Sequence, residues 1–167
     1  MPKLPTNVAE LFELLAGGPT ALDPLLGSPL VLVPLEPWTL PDLPALRDAT
    51  LTGRSQLLKT TIGRQAPALE AAPYPIPADP VVEIGRSHRA GMRIDQPTIS
   101  RLHAELKRVD GRIEIHDRGS YNGTMVNGRI LGPGESAFLA EGDVVTLGES
   151  QLLFGTISHL ASLVVKK

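Results

Sequence analysis

From residue 81 onward apolar and polar positions alternate with a period of two, the repeat of strands that bury one face and wet the other. The segments Val81–Ile84, Met92–Ile94, Ala104–Val109, Arg112–His116, Met125–Val126, Ser136–Leu139, Val144–Leu147 and Gln151–Ile157 each read as a short strand. Between them stand turn-forming pairs and triplets: Asp110-Gly111, Asn122-Gly123, Asn127-Gly128, Gly132-Pro133-Gly134 and Glu141-Gly142-Asp143. Many short strands so closely spaced predict an all-β sandwich or barrel.

Before residue 80 the pattern changes. Fourteen of the 16 prolines lie at or before Pro80, where they break any long regular element. Thr6 or Asn7 is placed to cap a short helix over Val8–Ala16, with Val8, Leu11, Phe12 and Leu15 on one face and Gly17-Gly18 ending it. Leu30–Val33 is β-branched and flanked by prolines, which predicts a strand at a sheet edge and a candidate first strand of the sandwich. Glu36–Ala49 reads as an extended path anchored by Trp38, and Thr50–Gly63 as one further strand or hairpin. Gln65–Pro80, in which Pro and Ala recur with few large apolar groups, reads as a linker or a wrapped arm. Ser158–Val165 can form a closing helical turn. The expected organisation is an extension over residues 1–80 that can supply the first strand, a β domain over 81–157, and a tail over 158–167.

Composition narrows the chemistry. In 167 residues, 16 Lys and Arg balance 18 Asp and Glu, so no global field draws in nucleic acid or an anionic membrane. There is no cysteine, which excludes disulfides and thiolate metal centres, and the four histidines show no ligand spacing. Neither a metal nor a cofactor is expected. The N-terminus lacks the layout of a signal peptide and no run nears the roughly 20 apolar residues of a span, so a soluble, cytoplasmic protein is expected.

Three polar clusters stand where strands give way to loops. They are Ile84-Gly85-Arg86, Thr98-Ile99-Ser100-Arg101-Leu102-His103, and Gly119-Ser120-Tyr121-Asn122-Gly123-Thr124-Met125-Val126-Asn127-Gly128. Together they offer a guanidinium, a hydroxyl, and side-chain and backbone amides, which suit an oxyanion such as phosphate. No nucleophile with a base, metal cluster or phosphate-cradling GxxxxGK accompanies them, so a binding module is expected rather than an enzyme.

In their order and spacing, Gly-Arg, Ser-x-x-His and Asn-Gly-Thr-x-x-Asn-Gly closely resemble the forkhead-associated (FHA) family, over roughly Val81 to Thr156. The resemblance implies an FHA-like β-sandwich of short antiparallel strands and phosphothreonine-dependent peptide binding in kinase signalling. Its partners would be phosphothreonine-containing proteins, including a Ser/Thr kinase or its substrate. It also implies that Arg86 and Ser100 contact phosphate and that Asn122 holds the ligand backbone, while Arg101 either lends a second charge or points to solvent. Gly85, His103, Gly123, Thr124, Asn127 and Gly128 would shape the binding loops. The chain departs from the family at Tyr121, where Ser or Thr is frequent; Tyr121 is still expected at the phosphopeptide, with its backbone N–H available to ligand. The alternative function is a structural or assembly module independent of phosphorylation.

Overall fold

The computed structural model describes residues 6, 7, 9–11, 30–35, 71–156 and 159. Among the described residues eleven strands run in the order β1 (Leu30–Pro34), β2 (Tyr74–Pro75), β3 (Val81–Gly85), β4 (Met92–Arg93), β5 (Ala104–Val109), β6 (Arg112–Asp117), β7 (Thr124–Val126), β8 (Arg129–Ile130), β9 (Ser136–Leu139), β10 (Val144–Leu147) and β11 (Ser150–Thr156). They form two sheets, ordered β2-β1-β11-β10-β7-β8 and β4-β3-β5-β6-β9. This is the expected β-sandwich. One pair departs from the antiparallel expectation, since β3 and β4 run parallel with Ile84 opposite Met92.

The alternation in sequence becomes the alternation of faces. Val82 and Ile84 of β3, Ala104 and Leu106 of β5, and Ile113 and Ile115 of β6 point inward and join Leu32, Val145, Leu147, Leu152 and Phe154 in one core. Each of the larger side chains contributes about 1.5–3 kcal/mol by leaving water. Two hairpins are set by local chemistry. Asp110-Gly111 joins β5 to β6 and Asn127-Gly128 joins β7 to β8, with φ of 48° and 75° in the first and 50° and 79° in the second. Positive φ at both central residues matches the strand twist of a two-residue hairpin, and Asn, Asp and Gly tolerate it at least cost.

Two segments before residue 81 enter the sandwich. β1 pairs with β11 on one side and with β2 on the other, so it sits one place in from the edge, which β2 occupies. Gln65–Pro80 is therefore, over its second half, an arm laid on the sheet: Tyr74 lies opposite Leu32, and Ile76 is fully buried in the core. Among the described residues near the N-terminus, 9–11 are helical and Asn7 caps them, its Oδ1 accepting the Glu10 N–H at 2.8 Å. The remainder of the expected Val8–Ala16 helix, the Trp38 and Thr50–Gly63 segments and most of Ser158–Val165 lie outside the described residues.

Register decides where the polar clusters meet. Ile84 lies opposite Ala104, and Ala104 opposite Asp117, so the end of β3, the start of β5 and the end of β6 are level. The loops leaving those three points, 86–91, 94–103 and 118–123, therefore emerge together at one end of the sandwich.

Candidate anion-binding site

Gly85 makes the first contact between loops possible. A Cβ built on it would stand 2.1 Å from the carbonyl oxygen of Arg101, closer than any side chain can approach. Because the position is bare, two backbone bonds tie the loops side by side: Arg86 N–H to Ser100 O at 2.9 Å and Ser87 N–H to Arg101 O at 3.1 Å. Gly85 therefore serves close approach.

Arg86 is exposed, but its side chain is aimed. Its Nε–H donates to Ile99 O at 3.1 Å, leaving the two terminal nitrogens without a partner among the described residues. Ser100, the next residue along, accepts the Tyr121 N–H on its Oγ at 3.0 Å, which leaves the hydroxyl hydrogen to donate elsewhere. This corrects the expectation for Tyr121. Its N–H is engaged by Ser100, while its side chain is 94% exposed beside the loop. Asn122 donates one Nδ2 hydrogen to Thr98 O at 2.8 Å, which holds the amide flat across the gap between the loops and keeps Oδ1 and the other hydrogen for a ligand.

His103 is fully buried beneath this surface. Its Nδ1 accepts the Ser100 N–H at 3.0 Å, so the hydrogen of the neutral ring resides on Nε2, which donates to Gly123 O at 2.9 Å. One imidazole thus bridges the Ser100 loop to the Asn122-Gly123 loop. No nucleophile or carboxylate touches it among the described residues, and its position is that of a brace.

The third loop has its own anchor, which sequence reasoning missed. Asp117 accepts from the Gly119 N–H at 2.9 Å, the Ser120 N–H at 3.0 Å, the Ser120 hydroxyl, and the Thr124 hydroxyl at 2.7 Å. Partial burial pushes its carboxyl pKa up, but the Ser120 and Thr124 hydroxyls and the two backbone N–H groups outweigh that and hold it below the usual value of 3.8. Thr124 is fully buried in this role, and the Gly123 N–H donates to Ser120 Oγ at 3.0 Å. The signal in the sequence was Asp-x-Gly-Ser, a carboxylate two residues ahead of a turn glycine. Thr98 opens the second polar cluster, but nothing in the sequence signalled that its carbonyl holds Asn122.

Asn127 and Gly128 stand away from the ligand face. Asn127 Nδ2 donates to Asp143 Oδ1 at 2.9 Å and its Oδ1 accepts the Val144 N–H at 2.9 Å, clamping the β7–β8 hairpin to the start of β10. The clusters singled out in sequence therefore separate into a surface group (Arg86, Ser100, Arg101, Tyr121, Asn122) and a supporting group (Gly85, His103, Gly123, Thr124, Asn127, Gly128). An open cleft of about 630 Å³ is lined by Arg86 and Ser100 together with Arg101, Arg89 and Glu83. Among the described residues no cluster of His, Asp and Glu is suited to hold a metal ion. No helix among them is long and apolar enough to cross a membrane.

Residues 82–148 match the family model described as FHA domain. The chain is 41% identical over 75 residues to the oxoglutarate dehydrogenase inhibitor of Corynebacterium diphtheriae, covering 45% of this chain and 50% of that protein. It is 40% identical over 77 residues to the glycogen accumulation regulator GarA of Mycolicibacterium smegmatis, covering 46% and 47%. The chain thus spans about half the length of the curated relatives it matches. Among solved structures it is similar to one described as "Structural and functional analysis of phosphothreonine-dependent FHA domain interactions", at 30% identity and TM-score 0.46, covering 52% of this chain and 85% of the other.

Proposed function

Residues 82–148 are an FHA domain, and on that premise we propose that the protein binds phosphothreonine-containing segments of other proteins and catalyses no reaction on them. The observation that carries the proposal is the state of Arg86. Its N–H and Nε–H are engaged by Ser100 O and Ile99 O, so the side chain presents two free terminal nitrogens beside the Ser100 hydroxyl. A phosphate brings about two negative charges and three acceptor oxygens, which match a guanidinium edge and a hydroxyl donor. Each charge-assisted bond contributes about 1.5–3 kcal/mol, and an unmodified threonine makes none of them. Asn122, held by Thr98, keeps an acceptor and a donor for the backbone of the ligand.

The supporting residues explain how such a surface forms without ligand. Gly85 allows the loops to touch, His103 joins Ser100 to Gly123, and Asp117 gathers the turn that carries Asn122. A site already ordered loses little conformational entropy on binding. We take the functional unit as residues 81–157 completed by β1 and β2, and its setting as kinase signalling, where phosphorylation of a partner switches association on. The relatives' names fit regulators that act by binding.

The test is retention of an oriented phosphothreonine peptide library by the full chain, run beside the same library without phosphate. The proposal expects retention and sequence enrichment from the phosphorylated library alone. Equal retention of both would contradict it and favour an assembly module independent of phosphorylation.

A further inference from the structure

Arginines on a folded surface usually find a partner, and in this molecule most do. Arg93 pairs with Asp95, Arg118 with Glu105 and Arg129 with Glu135; Arg108 donates to Pro77 O, Arg112 lies over the Phe138 ring, and Arg86 donates to Ile99 O. Among the described residues only Arg89 and Arg101 have no hydrogen bond, ion pair or ring contact from the side chain. Both line the same cleft as Arg86 and Ser100.

Their backbones are fixed although their side chains are free. Ser87 and Ala90 close a turn through Ala90 N–H to Ser87 O at 3.1 Å, and the Arg89 N–H donates to Ser87 Oγ at 3.2 Å. The same turn is pinned to the other loop by Ser87 N–H to Arg101 O at 3.1 Å. Arg89 therefore stands on an ordered turn bonded directly to the backbone of Arg101. The cleft walls include three guanidiniums against one carboxylate, Glu83, and they include neither Asn122 nor Thr98.

A single phosphate held by Arg86 and Ser100 leaves two further guanidiniums, Arg89 and Arg101, in this cleft against the one carboxylate of Glu83, with Asp79 bordering Arg89 on its far side in an adjoining cleft. We infer that Arg89, with Arg101, forms a second anion subsite. It selects ligands carrying a second negative group close to the phosphothreonine, on the side that Asn122 does not hold. The group is a carboxylate or a second phosphate, and a planar five-donor guanidinium binds either one in two-point fashion. The inference rests on the phosphopeptide reading of Arg86 and Ser100 and adds to it a rule for which phosphorylated partners are preferred.

The test uses the full chain and fluorescein-labelled phosphothreonine peptide pools, degenerate except at one position near the phosphothreonine. That position is fixed in turn, on either side, as Ala, Asp or phosphoserine, and affinity is read by anisotropy. The expected result is a gain of about three- to tenfold for an anion over Ala, as for a partly exposed charge pair, confined to one side of the phosphothreonine. The gain shrinks as ionic strength rises from roughly 0.05 to 0.5 M, because screening acts on exposed charges. A gain with Asp identifies acidic sequence as a sufficient source, whereas a gain with phosphoserine alone identifies double phosphorylation. Arg89→Ala should remove the gain while leaving the Ala pool within about twofold of wild type, and Arg89→Glu should turn the gain into a loss. Equal affinity across the pools, or a gain that survives Arg89→Ala, overturns the second subsite while the phosphothreonine reading stands. Failure of the Ala phosphothreonine pool to bind at all overturns both.

Discussion

Replacing His103 by Ala separates bracing from contact. The ring is fully buried and makes two bonds, from the Ser100 N–H to Nδ1 and from Nε2–H to Gly123 O. The two ends respond differently to its loss. Gly123 O keeps the Gly148 N–H at 3.1 Å, but the Ser100 N–H has no other partner among the described residues. An amide left unpaired costs about 1–3 kcal/mol, and the space left by the ring adds about 1–2 kcal/mol through its unfilled volume. The sum, about 2–5 kcal/mol, corresponds to a fall in melting temperature on the order of 10 °C or more for a domain of this size. Affinity for a phosphothreonine peptide should fall as well, because the Ser100 and Asn122 loops lose their common brace. Ser100→Ala is the control: it removes the acceptor of the Tyr121 N–H, which lies at the surface where water replaces it, so affinity falls while the melting temperature moves by about 3 °C or less. Calorimetric melting and peptide titration of both variants check this. A His103→Ala protein that melts within about 2 °C of wild type would refute the bracing role.

Three further outcomes follow from the same geometry. Because the folded Asp117 carboxyl titrates below its ordinary value, the stability it contributes is present above about pH 3.8 and is lost as pH falls through the lower folded value. In acid denaturation, the stability difference between wild type and Asp117→Asn should therefore narrow as pH falls from roughly 5 to 2. Gly85→Ala places a Cβ against Arg101 O and should cost several kcal/mol or push the two loops apart, read as a lower melting temperature together with weakened peptide binding. Asn127→Ala loses both side-chain bonds to the start of β10 and puts a Cβ-bearing residue without a compensating amide at φ of 50°, so urea unfolding should show a loss of about 1–3 kcal/mol.

Much of the fold was written in the alternation. Arg112-Ile113-Glu114-Ile115-His116 can bury Ile113 and Ile115 together only as a strand, and there they are. β8 escaped notice because two residues carry no period; only the Asn127-Gly128 turn before it implied a returning strand. β2 was obscured by Pro75 in a proline-rich arm, yet an edge strand accepts proline, and the fully buried Ile76 gives the arm its reason to lie down. At the site, Arg86, Ser100, His103 and Asn122 were singled out because Gly-Arg, Ser-x-x-His and Asn-Gly-Thr-x-x-Asn-Gly together resemble the FHA family in order and spacing. Asp117 and Thr98 were not, since one is a lone acid at a strand end and the other acts largely through its backbone carbonyl. The freedom of Arg89 was likewise invisible, because only the folded chain reveals which arginines have found partners.

The central claim is that Arg86 makes binding depend on a phosphate. The direct measurement is calorimetric titration of the full chain with one library-selected threonine peptide, phosphorylated and unphosphorylated, against wild type and Arg86→Ala. The account predicts that the phosphorylated peptide binds wild type more tightly by about 2 kcal/mol or more, and that Arg86→Ala removes most of that difference without unfolding the domain. An Arg86→Ala protein that remains folded and discriminates the two peptides as wild type does would contradict it.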